Sequence, residues 1–420
     1  MTSLVITAAA LLLLLSGTPV FVVICGLALY LFFSSGIDPS VVIIEIHRLA
    51  TTPVLVAIPL FTFAGYLLSE SGAPRRLIRL ADALLGWLPG GLAVIALGTC
   101  AVFTALTGAT GLTIIALGGI LLPAMGRGQY PDGFSLGLLT TSGTLGLLFP
   151  PSLPLIVYAI VAKVGIGQLF MAGLLPGSLL VVALSAYSFM IAARSRLPRK
   201  PFRGAELMAA LRECIWELPL PLVVLGGIYS GYFAVSEAAA LTAMYVFIVE
   251  VMVLRDIRWG ALPELIKQSM VLVGGVLIIL GAAMGLTNYL IDAEIPMQML
   301  DFFREHVASR TLFLAVLNLF LLAVGCTMGI FSALVVVVPL IAPIAKAYGI
   351  DPIHLGIIFL TNLEIGASIP PLGINLFIAG LRFDRPVLTL YAACLPFVAL
   401  LLAALVLITY WPWLSLALVR

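Results

Sequence analysis

"TSGTLGLLFPPSLP", residues 141–154, sets two adjacent prolines inside a long apolar run. Proline has no N–H to donate and its ring clashes with the preceding helical turn. A segment apolar enough to cross a membrane therefore interrupts its own helix near the middle. "TNLEIGASIPPLGI", residues 361–374, does the same 220 residues later. At that single offset Thr141, Gly146, Pro150 and Pro151 fall on Thr361, Gly366, Pro370 and Pro371. The same shift carries Gly65 to Gly285, Thr107 to Thr327 and Pro123 to Pro343, and lands "GQYPDGFSLGLLT" on "YGIDPIHLGIIFL". One offset holding over so long a stretch predicts an internal duplication, an architecture frequent among secondary transporters.

Composition sets the class. The 420 residues are 62% hydrophobic and 10% charged, against about 45–50% and about 25% in soluble domains. Mean hydropathy is +1.22. This is the profile of an integral membrane protein with no polar stretch long enough for a separate soluble domain. The five cysteines are scattered through apolar runs, which suits buried thiols better than disulfides. No HExxH and no GxxxxGK[ST] occurs, so zinc proteolysis and P-loop ATP hydrolysis have no support. Nucleic acid is not expected as a partner. Residues 4–15 lack a preceding basic residue and a good cleavage site, so they read as a retained first span rather than a signal peptide.

A spanning helix needs about 20 apolar residues. On that rule the fold class is all-α and polytopic, with two inverted repeats of about ten transmembrane helices plus two re-entrant hairpins. The first repeat, 1–193, divides into scaffold helices 3–69, an arm helix 72–86, a hairpin 90–125, a broken helix 134–162 and a helix 167–193. A basic linker, 194–216, follows. The second repeat, 217–420, divides into scaffold helices 217–291, an arm 293–306, a hairpin 311–345, a broken helix 353–380 and a helix 387–416. The segments 90–125 and 311–345 are too long for one crossing, and "GAPRRLIRLADALLG", 72–86, is amphipathic and suits the interface.

Lys/Arg bias orients the repeats. Five crossings per half invert the second half. A cytoplasmic linker then places 15 of the 21 basic residues inside, leaving Arg48, Lys163, Arg304, Arg310, Lys346 and Arg420 outside with both termini.

Unpaired backbone groups in lipid cost several kcal/mol each, so broken helices occur only where protein or a water-filled cavity covers them. Two symmetry-related breaks imply a central site. Half-helix N-termini would attract anions there, and freed carbonyls would hold Na⁺. The hairpin tips are predicted at "TALTGATGLT", 104–113, and "GCTMGIFSA", 325–333. Small residues in membrane helices often serve packing alone, but these cluster where the chain must turn. Glu237 and Glu364 interrupt apolar runs. Intramembrane carboxylates are costly and usually functional. Glu237 suits a helix cap, whereas Glu364 adjoins the second break and suits a backbone partner or a coupling role. His354 reads as an interfacial or packing histidine.

"FTALTGATGLT", "GTLGLLFPPSLPLIVYAI", "GQLFMAGLLPG", "SEAAALTAMY" and "GIDPIHLGIIFLTNLEIGASIPPLGINLFIAG" resemble, in order, the signatures of the large membrane subunit of tripartite ATP-independent periplasmic (TRAP) transporters. The resemblance implies an elevator-type symporter of the bacterial inner membrane, not an enzyme. A moving domain of two hairpins and two broken helices would carry a small organic anion with about two Na⁺ past a fixed scaffold. It also implies a small four-helix membrane subunit, expected as a separate chain, and a periplasmic solute-binding protein. Carried over by motif, Thr107, Gly108, Thr110, Gly143, Thr144 and Pro150 would form one Na⁺ site. Gly325, Thr327, Thr361, Asn362 and Gly366 would form the second. Thr107, Gly143, Thr144, Asn362 and Glu364 would meet the substrate. The family often has a carboxylate where Gly329 stands here. Proton coupling in the same fold, or an ion channel, are the alternatives.

Overall fold

The computed structural model describes residues 12–13, 16–88, 90–195, 201–307 and 309–419. The first expected span, 3–16, lies largely outside them, as do Arg196, Arg199, Lys200 and Arg420. Every regular element among the described residues is helical.

In chain order the helices are α1 (Val20–Ser34), α2 (Ser40–Ala50), α3 (Ala57–Glu70), α4 (Ala73–Leu85), α5 (Gly91–Thr107), α6 (Thr110–Arg127), α7 (Asp132–Ser142), α8 (Leu153–Ala162) and α9 (Ile166–Arg194). There follow α10 (Gly204–Glu213), α11 (Pro219–Tyr229), α12 (Val235–Phe247), α13 (Leu262–Asp292), α14 (Ile295–His306), α15 (Arg310–Thr327) and α16 (Ile330–Ala347). The last are α17 (Pro352–Gly366), α18 (Ile374–Phe383), α19 (Val387–Tyr410) and α20 (Trp413–Leu416). Among the described residues, eight helical stretches are long and apolar enough to cross a membrane, or nine if the bent pair Asp132–Leu148 and Leu153–Ala162 is one span. The protein is thus a multi-pass membrane protein.

Proline and glycine decide where the helices stop. The 41–69 run is cut at Pro53, which opens a 3₁₀ turn, Pro53–Val56, before α3. Proline suits a first helical turn, where its missing N–H would have no partner anyway. The basic linker carries a helix of its own, α10, and the α12 run ends in a π turn, Ile248–Val253. Glu237 caps α12, its carboxylate accepting from the Ala234 N–H at 2.9 Å.

The two halves pack reciprocally. Under the 220-residue shift α1, α3, α6, α7, α8 and α9 correspond to α12, α13, α16, α17, α18 and α19. Contacts between these elements come in exchanged pairs: α1 on α13 with α3 on α12, α6 on α18 with α8 on α16, and α7 on α19 with α9 on α17. Contacts that exchange partners in this way are those a two-fold relation produces. The core between them is apolar, with α17 buried along its length.

One ionic node ties α4 to the second half. Arg76, on the amphipathic α4, donates to Glu217, to both oxygens of Glu250 at 3.1 Å and to Asp256 at 2.5 Å. Asp256 also accepts from the Gly72 N–H at 2.9 Å. Arg79 pairs with Glu213 of α10 at 2.6 Å, above a small apolar contact of Leu80, Ala210 and Cys214. Burial alone would raise the Asp256 carboxyl, but the Arg76 guanidinium and the Gly72 N–H hold it below the usual carboxylate range. Its stabilisation is therefore present at neutral pH and lost as pH falls through that lowered range.

Arg76→Ala leaves three carboxylates facing one another. Removing one partner of a buried pair costs about 3–5 kcal/mol, and partial exposure reduces this to about 2 kcal/mol. We expect the melting temperature of the purified protein to fall by roughly 5 °C, with Arg76→Lys recovering part of the loss. An unchanged melting temperature would show that the node does not hold α4.

Candidate functional site

The first hairpin turns at Gly108, whose φ of +64° places it in the left-handed region that glycine reaches without strain. A Cβ there would lie 2.6 Å from the Leu153 side chain, so the tip seats on the start of α8, just past the Pro150–Pro151 break. The Thr104 hydroxyl donates to the Gly143 carbonyl at 2.8 Å and shares a 2.6 Å hydrogen bond with Thr113. A Cβ on Gly146 would meet the Ala101 carbonyl at 2.3 Å and the Ala105 nitrogen at 2.4 Å. Hairpin and broken helix are therefore in backbone contact. Gly143 packs against Ile114 and the Thr110 carbonyl.

The second hairpin repeats the arrangement. A Cβ on Gly366 would meet backbone atoms of Gly325 at 2.7 Å, and 325 and 366 stand 220 residues beyond Ala105 and Gly146. The Thr361 hydroxyl is turned back on the Ile357 carbonyl at 2.7 Å, and Thr144 likewise on Thr141 at 3.0 Å. Thr327 bonds the Ala323 carbonyl at 2.9 Å and is exposed. Both Pro–Pro bonds are cis.

Gly108, Thr110, Gly143 and Pro150 thus gather around the first break, and Gly325, Asn362 and Gly366 around the second. The two tips differ. Thr107, Gly108, Pro150 and Pro151 are buried, whereas Thr327, Gly329, Pro371 and Leu372 are exposed. Gly65 of α3 closes on Thr107, where its Cβ would lie 2.6 Å from the threonine Cα. The equivalent Gly285 of α13 packs on Val42 of α2 instead.

Two contacts tie the halves together at the site. The Thr110 hydroxyl donates to Asn375 Oδ1 at 3.0 Å across 265 residues. Thr144 lies beside Glu364, its own counterpart under the shift. Asn375, Thr104 and Thr113 carry no sequence signal of their own. They sit inside the quoted motifs without standing out from them.

Buried polar groups normally find partners. Among the described residues eight buried side-chain atoms have none, and six of them lie at the two breaks: Ser152 Oγ, Asn362 Oδ1, both oxygens of Glu364, Ser368 Oγ and Asn375 Nδ2. Five are oxygens, two of them hydroxyls that can also donate, and one is an amide nitrogen. Oxygens suit a hard cation, and the single amide N–H suits an anion. Beyond the breaks, a cavity of about 580 Å³ is lined by Arg48, Lys163, Val235 and Ser236 among others.

A family profile described as "Tripartite ATP-independent periplasmic transporter, DctM component" matches residues 5–414. The chain belongs to that family. The C4-dicarboxylate TRAP transporter large permease protein DctM of Pseudomonas aeruginosa is 39% identical over 87% of this chain and 86% of its own. The isethionate TRAP transporter permease protein DctMQ of Oleidesulfovibrio alaskensis is 35% identical over 95% of this chain and 63% of its own. Other DctM-family relatives are named for ectoine and sialic acid. The crystal structure of the Alcanivorax borkumensis YdaH transporter has the same fold, with a TM-score of 0.60 at 14% identity over 88% of this chain and 87% of that one. The DctM match makes this chain a TRAP transporter large permease.

Backbone contact makes Gly146 and Gly366 intolerant of a side chain. Gly366→Ala must displace the second hairpin, and overpacking of this kind costs about 1–3 kcal/mol. We expect uptake to fall at least tenfold with a lower melting temperature. Gly329→Ala, with a φ of −67° and open space around it, should leave melting unchanged. Equal melting temperatures for both variants would refute the close contact.

Proposed function

We propose that this permease imports a small organic anion of the carboxylate or sulfonate class, driven by the Na⁺ gradient. The observation that carries the reading is the set of partnerless buried oxygens at two symmetry-related helix breaks, joined by one partnerless amide donor. Asn362, Glu364, Ser152 and Ser368 would supply oxygens to cations, and Asn375 would donate to the anion. Thr107, Gly143, Thr144, Asn362 and Glu364 remain the proposed substrate contacts, and the two motif-derived groups of residues the proposed Na⁺ ligands. Na⁺ supplies charge compensation for Glu364, whose burial without a partner is otherwise costly. The relatives named for a C4-dicarboxylate and for isethionate are both named for anions, and Lys163 beside the cavity suits the same charge, whereas Arg48 there is paired with Glu45 at 2.6 Å.

The motion that fits is an elevator between inverted repeats. The reciprocal packing supports the two-fold relation, and the Lys/Arg bias supports its inversion across the bacterial inner membrane, with the linker cytoplasmic and both termini periplasmic. The unequal tips support two end states. In the present one Gly65 clamps Thr107; in the other Gly285 would take up Thr327. A small membrane subunit and a periplasmic binding protein complete the transporter.

A second reading rests on Glu364 alone: a buried carboxyl with no hydrogen-bond partner suits a proton carrier. In proteoliposomes holding all three components, replacing external Na⁺ by choline should reduce uptake at least tenfold under the first reading. Uptake that survives choline but is abolished by Glu364→Gln and by collapsing the pH gradient would establish the second. For topology, a cysteine at Phe202 in a Cys-free background should resist a membrane-impermeant maleimide in intact cells. Ready labelling there would overturn the inverted arrangement.

A further inference from the structure

We propose that Asn318, held by Thr409, is a positioning residue that turns the Asn362 carbonyl oxygen toward the second cation site; this rests on the Na⁺ reading above. The Asn362 amide nitrogen lies 2.8 Å from the Ile358 carbonyl and 2.7 Å from Asn318 Oδ1. A backbone carbonyl can only accept, so the group facing Ile358 is the NH₂. Both of its hydrogens are then used, and Oδ1 is aimed the other way. That oxygen is fully buried and has no partner.

Asn318 stands on α15, the first limb of the second hairpin, and its own orientation is set from α19. Its amide nitrogen lies 3.1 Å from Thr409 Oγ1, which is 3.4 Å from Asn318 Oδ1. The nearer contact points the Asn318 nitrogen at Thr409 and its oxygen at Asn362. Thr409 is fixed in turn by His354. The His354 Nε2 is 3.3 Å from the Thr409 carbonyl and so donates to it, leaving Nδ1 to accept from Ser415 Oγ at 3.1 Å. The chain Ser415–His354–Thr409–Asn318–Asn362 crosses four helices, α20, α17, α19 and α15, and ends on one free acceptor. Its members are buried, so water does not compete for these bonds. Because Asn318 belongs to a hairpin limb, the acceptor is set only while that limb is seated on α17. This gives His354 a defined duty within the packing role, rather than the interfacial one, of the two its sequence position suggests.

Groups that orient a metal's ligands typically change metal affinity by about 10- to 100-fold when removed. The test is Na⁺-dependent thermal stabilisation of the purified full chain in lipid nanodiscs, titrating NaCl against choline chloride at constant ionic strength. A ligand that binds only the folded state stabilises it by RT ln(1 + [Na⁺]/Kd), so the Kd fitted to the rise in melting temperature, taken as the Na⁺ midpoint, reports affinity without transport. Asn318→Leu should raise the Na⁺ midpoint about tenfold. Thr409→Val, which removes only the hydroxyl, should raise it about threefold. Asn318→Asp keeps an acceptor toward the Asn362 NH₂, and its midpoint should be no higher than that of the unmodified chain.

Asn362→Ala serves as the control. If it weakens the Na⁺ response while folded Asn318→Leu and Thr409→Val leave the midpoint unchanged, the positioning role is overturned and the ion site stands. If the unmodified chain shows no stabilisation by Na⁺ over choline, the ion reading falls and the positioning role with it. Should Asn318→Leu fail to fold, Thr409→Val decides alone.

Discussion

A helix broken in an apolar protein leaves carbonyls and N–H groups where no lipid can satisfy them, and the rest of this structure is arranged around covering two such breaks. The cover is backbone on backbone. Gly146 lets the first hairpin approach the turn that follows α7 until a single methyl group would collide with the Ala101 carbonyl, and Gly366 does the same for the second. Only glycine permits that approach, because any Cβ would hold the elements apart and open a gap. With the breaks enclosed, the side chains around them have few neighbours to bond. This is why orphaned oxygens accumulate at this depth and scarcely elsewhere. The same geometry that solves the folding problem leaves acceptors free for an ion.

Much of this was legible in the sequence, and for identifiable reasons. Proline and glycine act locally, so the breaks, the hairpin turns and the ends of α3, α17 and α18 follow from residue type alone. The duplication was legible because 220 residues separate equivalent prolines, threonines and glycines without a gap. Less of the site was visible. Asn375 meets Thr110 across 265 residues, and Asn318 meets Asn362 across 44. A neutral amide inside an apolar helix has no periodicity and no charge to mark its partner. The Arg76 node escaped for a related reason. Its four charged members come from three separate stretches of sequence, and each alone reads as an ordinary interfacial residue.

The duplication also carries its own limit. A perfect two-fold would give two equal tips, and a transporter with equal tips would have no side on which to be open. The chain breaks the symmetry at specific places. The ionic node latches α4, whereas the counterpart of Arg76 is Pro296, which has no charge to offer. Glu364 faces Thr144 where symmetry alone would pair like with like. His354 and Thr409 brace the second site, whereas their counterparts are Phe134 and Phe189.

These departures share a direction. The first site is buried and pinned through α3, and the node on α4 holds that half against the scaffold. The second site is exposed at its tip, and its order depends on a hydrogen-bonded chain running from α20 to α15. Rigid support on one side and conditional support on the other is what a moving element needs. Packed cores resist continuous deformation and switch between discrete arrangements. On the Na⁺ reading proposed above, an oxygen that faces the ion only while its hairpin is seated would make ion binding and hairpin closure the same event. The differential affinity between seated and unseated states would then be the free energy available to drive the change, and it would depend on a carboxamide held in one orientation.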